Sequence, residues 1–134
     1  LLMEEKKEKA LLVGLNITST EKIDDIDINE SMEELKELAK AAGAEVVGSL
    51  IQNRQSRDVI YVGKGKVEEI KAYSDSLGAT VVIFNDELSG AHKENIEEVV
   101  GIKVIDRTTL ILDIFAQRAL SKEVNYKVEL AQLN

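Results

Sequence analysis

The 134-residue chain has no cysteine, no proline and no tryptophan. Lack of cysteine excludes disulfides, thiolate zinc sites and cysteine nucleophiles, and it fits a reducing cytoplasm. Lack of proline leaves glycine to stop the helices, and there are eight glycines. The few aromatic residues, Tyr61, Tyr73, Phe84, Phe115 and Tyr126, are scattered rather than grouped. That disfavours an autonomous module reading single-stranded RNA by stacking, while a surface that contacts phosphates stays open. No apolar run approaches the roughly 20 residues a membrane helix requires, and the first ten residues alternate in charge instead of forming a secretory core. These absences predict a soluble, cytoplasmic protein. The length predicts one compact domain able to bury its core without staples.

Charge is abundant and mostly of one sign: 25 acidic against 17 basic residues, a net charge of −8. This argues against a general electrostatic clamp on nucleic acid, although binding answers to the local field. Acid is concentrated between Glu21 and Glu37 and again between Asp86 and Glu98. Around Arg54, Arg57, Lys64 and Lys66 the sign reverses, with only Asp58 opposing, and Arg107, Arg118, Lys122 and Lys127 form a thinner basic zone. Solvated faces of alternating sign are the plain alternative.

Ala10 to Asn16 is a continuous apolar run without helical period, the pattern of a strand covered on both faces. Ile17 to Glu30 is acidic and aperiodic and reads as a loop. Ser31-Met32-Glu33-Glu34 has capping-box spacing, followed by Met32, Leu35, Leu38, Ala39 and Ala42 at helical intervals up to Gly43. Val46 to Ile51 predicts a strand, Val59 to Val62 an extended segment, and Val67, Ile70, Ser74 and Leu77 a helix from Gly65 closed by Gly78. Thr80 to Phe84 predicts a buried strand, Ser89 to Gly101 a capped helix, and Ile102 to Ile105 a last strand. Strands alternating with helices of this length predict an α/β fold, a mostly parallel sheet with helices on both faces. From Val104 onward the chain passes through Asp106-Arg107-Thr108 into a helix apolar on nearly every side, which calls for cover on both faces. Residues 1–106 therefore read as an α/β subdomain and 107–134 as a helical segment. Its stripe of Val124, Val128, Ala131 and Leu133 lacks a partner, and this predicts a fragment whose helix either pairs with a returning helix or self-associates.

Three places could carry chemistry. Gly63-Lys64-Gly65-Lys66 lies where an extended segment turns into a helix. There it makes a tight turn with solvated lysines, a contact to RNA phosphate, or a nucleotide site. It matches neither the Walker A pattern nor the dinucleotide fingerprint, since residue 68 is glutamate. Asn85-Asp86-Glu87-Leu88-Ser89 follows a buried strand at the edge where open α/β folds place ligands, and Asp106 and Arg107 arrive at that edge too. Asp86 and Asp106 are the only metal candidates there; helix caps plus an ion pair explain the same residues. His92, the sole histidine, reads as a surface residue, because zinc needs three or four ligands.

Taken together, the Ala-Leu-Leu-Val-Gly strand, Ala-Gly-Ala-Glu-Val-Val at 42–47, Gly63-Lys64-Gly65-Lys66-Val67-Glu68-Glu69-Ile70, Val82-Ile83-Phe84-Asn85-Asp86-Glu87-Leu88-Ser89 and the run from Val104 closely resemble the N-terminal domain of the HflX family of ribosome-associated GTPases. Two features depart from the usual pattern: Gly90 stands where a proline commonly follows Leu-Ser, and the 17–30 loop is long and acidic. The resemblance implies a cytoplasmic protein that binds the large ribosomal subunit and helps to split or rescue stalled ribosomes. It further implies that the α/β subdomain leads into a helical hairpin whose Gly/Arg-rich tip reaches ribosomal RNA, with the GTPase domain following. On that basis this chain holds the subdomain and the first part of the hairpin, and it is noncatalytic and without a cofactor of its own. GTP and magnesium belong to the full-length parent. The expected RNA-facing residues are Arg54, Arg57, Lys64, Lys66, Arg107, Arg118 and Lys122. Some members of the family are reported to bind ATP through this region, but no phosphate-loop motif here assigns such a site. The competing readings are a nucleotide-binding or hydrolysing domain built on Gly63 to Lys66 and the Asp86/Asp106 edge, and a regulator docking on its own GTPase domain through the acidic faces.

Overall fold

In the computed structural model, which describes residues 7–17, 28–54 and 64–119, the apolar run at the start is the strand β1 (Lys9–Ile17). Leu11, Val13 and Leu15 belong to one buried cluster and Ala10 and Leu12 to another, so this strand is covered on both faces. The remaining elements are α1 (Ile28–Ala41), β2 (Glu45–Arg54), α2 (Lys64–Leu77), β3 (Val81–Phe84), α3 (Gly90–Val100), β4 (Lys103–Asp106) and α4, helical over 107–119.

The four strands are all parallel and lie in the order β2-β1-β3-β4. Helices α2 and α3 cover the face bearing Leu11, Val13, Val82, Phe84 and Val104, through Val67, Ile70, Ile96 and Val100. Helices α1 and α4 cover the other face through Met32, Leu35, Ala39, Leu110 and Ile114. The α/β architecture expected from the alternating pattern is thus the one found. The chain winds outward from β1 to β2, crosses back to β3 and continues to β4, so the direction of winding reverses between β1 and β3. Ligands of open α/β sheets gather beyond the carboxyl ends of the strands at such a reversal.

Local chemistry explains several element ends. Ser89 caps α3 by accepting from the His92 amide at 3.2 Å, and Gly101, at φ 81°, closes it with its own N–H on the Glu97 carbonyl. A side chain at Gly101 would be strained in that left-handed conformation. Close approach, rather than conformation, accounts for Gly14: a Cβ there would lie 2.5 Å from Met32 Sδ, so any other residue would force the buried Met32 side chain of α1 to shift.

Two expectations are corrected. Ser31 does not cap α1, which begins three residues earlier at Ile28; its hydroxyl is engaged by other parts of the fold, as described below. Helix α4 is covered on one face only among the described residues: Leu110 and Ile114 are buried, but Leu112 and Phe115 on the far side are each 61% exposed. The 59–62 segment and the Val124 to Leu133 stripe lie outside the described residues, as does most of the acidic loop.

Candidate functional site

The carboxyl edge of the sheet carries a polar cluster assembled from four elements. Asn85, directly after β3, is anchored by its own N–H on the Val13 carbonyl of β1 at 2.8 Å. Its Nδ2 donates to Ser31 Oγ of α1 at 2.9 Å, and its Oδ1 accepts from Arg107 Nη1 at 3.0 Å. Arg107, the first residue of α4, also reaches Ser31 Oγ at 3.4 Å and makes an ion pair with Glu34 at 3.0 Å through Nη2. One guanidinium thus joins α1, β3 and α4 across the winding reversal.

Asp106 is the neighbouring hub. It ends β4 and is buried, and its Oδ1 accepts from the Thr109 amide while Oδ2 accepts from the Leu88 amide, both at 2.9 Å. The first bond caps α4 and the second ties down the loop after β3. Burial pushes the Asp106 carboxyl up, but these backbone N–H bonds, with a further one from the Thr109 hydroxyl, outweigh it and hold the group below the ordinary 3.8. An ionised carboxylate with both oxygens engaged is a structural cap. Asp86 is half-buried nearby, and among the described residues no group of three or more His, Cys, Asp or Glu could hold a metal ion.

The basic residues expected to face RNA divide into three groups. Arg54 is the last residue of β2 and Lys64 the first of α2, so both lie at the carboxyl edge by backbone position. Gly65 and Lys66 follow in the exposed first turn of α2, where Lys66 pairs with Glu69 at 3.4 Å, each side chain about half exposed. Arg107 is turned inward to the polar cluster, and Arg118 is exposed on α4. Arg57, Gly63 and Lys122 lie outside the described residues.

Sequence reasoning missed the roles of Ser31, Glu34 and Asn85, and it missed Gln52. The last sits beside Leu15 in the β1–β2 register and is 5% exposed, yet neither amide atom has a hydrogen-bond partner among the described residues. The signal for Asn85 was present: an amide side chain directly after a four-residue buried strand, at the edge where connections converge.

A family model described as the N-terminal region of GTP-binding GTPases matches residues 29–116, which include the whole of this polar cluster. The GTPase HflX of Caldanaerobacter subterraneus subsp. tengcongensis is 50% identical over 128 residues, which is 95% of this chain and 28% of the relative. That of Escherichia coli K12 is 40% identical over 127 residues, 94% of this chain and 28% of the relative. Among solved structures, the G235S variant of SsGBP superposes with a TM-score of 0.60 at 28% identity, covering 94% of this chain and 38% of that one. This chain therefore spans little more than a quarter of the two relatives' length. It belongs to the GTPase HflX family, as the N-terminal domain.

Proposed function

We propose that this domain docks its parent GTPase on the RNA of the large ribosomal subunit, in the service of ribosome splitting or rescue in the cytoplasm, and takes no part in hydrolysis itself. The observation that supports this reading best is the backbone placement of basic residues at the β2–α2 corner of the carboxyl edge: β2 ends on Arg54 and α2 begins on Lys64, with Lys66 in the same first turn. Phosphates are held by such cations and by the free amides of a helix start. The Lys66–Glu69 pair does not prevent this, because an exposed i,i+3 pair contributes only about 0.2–0.5 kcal/mol and a phosphate can displace it. Arg118 adds an exposed basic position on α4, and Lys122 follows it four residues later in the sequence.

GTP and magnesium belong, in this reading, to the remainder of the parent, whose GTPase domain is the second partner. No Gly-x-x-x-x-Gly-Lys-Ser/Thr occurs in the sequence, so neither the amide cradle nor the phosphate lysine of a P-loop is supplied here.

The test is co-sedimentation of the chain with separated large and small subunits over a salt series, alongside calorimetric titration with GTP and ATP in the presence of magnesium. Pelleting with the large subunit that fades as salt rises, with no nucleotide heat and no GTP turnover, is the expected result. Nucleotide binding without pelleting would favour the nucleotide-domain reading instead.

A further inference from the structure

The sheet has two outer strands, and they differ in kind. β4 is four residues long, whereas β2 runs for ten and, among the described residues, pairs with β1 alone. Long outer strands offer a row of free backbone donors and acceptors, and proteins blunt them with lysine, proline or shortness. None of these is present in Glu-Val-Val-Gly-Ser-Leu-Ile-Gln-Asn-Arg, whose one irregularity is the register shift at Val47 near its start, so the stretch from Gly48 onward is the regular part of the edge. Its only charges are Glu45 at the start and Arg54 at the end, so the strand is neutral in a chain of net charge −8. Ser49 is exposed, and Ile51 is 37% exposed. Beside the strand lies a groove of 390 Å³ lined by Leu50, Glu69, Ala72, Tyr73 and Ser76, with Tyr73 also 37% exposed.

We propose that β2 is a self-pairing edge: two copies of the chain join β2 to β2 in antiparallel fashion about a two-fold axis at Ser49, forming one eight-stranded sheet. Three observations favour a second copy over a foreign strand. A two-fold axis across an edge pairs a strand with its own reverse, which by backbone position sets the acidic Glu45 end of each copy beside the basic Arg54 end of the other, so the strand's two charged ends are complementary along the seam. The same axis puts Gly48 opposite Leu50 on both sides of Ser49, small against large. It also brings the two α2 helices together antiparallel over the seam, where the Tyr73 side of each lies along the other's groove. An acidic protein that self-associates does so where its own charge is least.

The absence of cysteine makes the test clean, since any introduced thiol is unique. Sedimentation velocity across a concentration series is expected to show a monomer–dimer equilibrium. A nitroxide on Ser49→Cys should show strong dipolar broadening that disappears on dilution with unlabelled chain, and one on Glu98→Cys of α3 should not. On the unmodified chain, hydrogen exchange of the β2 amides should slow as concentration rises. Ser49→Lys sets two ammonium groups opposite each other at the axis and is expected to weaken association about fivefold or more with the thermal transition retained. Leu112→Glu with Phe115→Glu on α4 should leave the dimer intact. A chain that stays monomeric at every concentration overturns the proposal. So does a dimer that lacks both the Ser49 broadening and the β2 protection, or one that yields to the α4 variant and not to Ser49→Lys.

Discussion

Arg107 Nη1 donates to Asn85 Oδ1 at 3.0 Å, tying the first residue of α4 to the residue that follows β3. The same guanidinium pairs with Glu34 of α1, so both helices on one face of the sheet are fixed to its carboxyl edge by a single side chain. A residue expected to face RNA proves to hold the fold together at the place where the winding reverses.

Arg107→Ala is expected to cost on the order of 1.5–3 kcal/mol in urea unfolding, because it removes charge-assisted bonds and leaves Asn85 Oδ1 short of a donor. Glu34→Ala should cost less than about 1 kcal/mol, since Glu34 is 63% exposed and its pair is screened. The double variant Arg107→Ala, Asn85→Ala should fall short of the sum of the singles, the mark of a shared network.

Asp106 gives a pH dependence of definite sign. Its carboxyl is held below 3.8 in the folded chain, so its charge adds stability that is complete above the unfolded pKa and is lost as pH falls through the folded value. Thermal midpoints of the wild type and Asp106→Asn should therefore differ most near neutrality and converge below about pH 4. A gap that persists at lower pH would mean that the charge is not what the cap exploits.

Two glycines should respond in opposite ways. Gly14→Ala places a Cβ against Met32 Sδ in a buried contact, and overpacking of that kind costs about 1–3 kcal/mol. Gly90→Ala meets nothing within 4 Å at the first position of α3 and should stabilise by about 0.4–1 kcal/mol through the unfolded chain. Chemical denaturation of the two variants side by side measures both.

Gln52 is buried with its amide unpartnered among the described residues, which is a standing penalty. Gln52→Leu, similar in size and without polar atoms, should raise stability by on the order of 1 kcal/mol. A loss of stability in the same denaturation assay would show that the amide has a partner after all.

How much of this was legible in the sequence depended on how local the cause was. Ser89, Gly101 and the apolar residues between them define α3 by contacts three or four residues apart, and its limits were read correctly. Ser31 with Glu34 has the same local signature as a cap, yet the partners of the Ser31 hydroxyl are Asn85 and Arg107, 54 and 76 residues away. Nothing in a helical window announces such partners. The Asp106-Arg107 pair was placed at the correct edge, and of the chemistries open to it, cap and ion pair describe what these side chains do. Gln52 could not have been singled out, because its register beside Leu15 is set by the irregularity between Ala10 and Leu11. The exposed far side of α4 differs from expectation because an apolar pattern states a demand for cover and does not say where the cover is.

Carboxyl-edge cations meeting ribosomal phosphate are the centre of the proposed function, and charge reversal tests them most directly. Large-subunit binding is to be measured over a salt series for the wild type, for Arg54→Glu, Arg57→Glu, Lys64→Glu, Lys66→Glu combined, and for a control with Lys7, Lys36, Lys40 and Lys103, away from that edge, reversed to glutamate. The first variant is expected to weaken binding and to flatten the slope of log affinity against log salt by about one for each phosphate no longer neutralised, while the control keeps the wild-type slope. Equal falls in affinity and slope for both variants would mean that only net charge matters, and would contradict a docking surface at this edge.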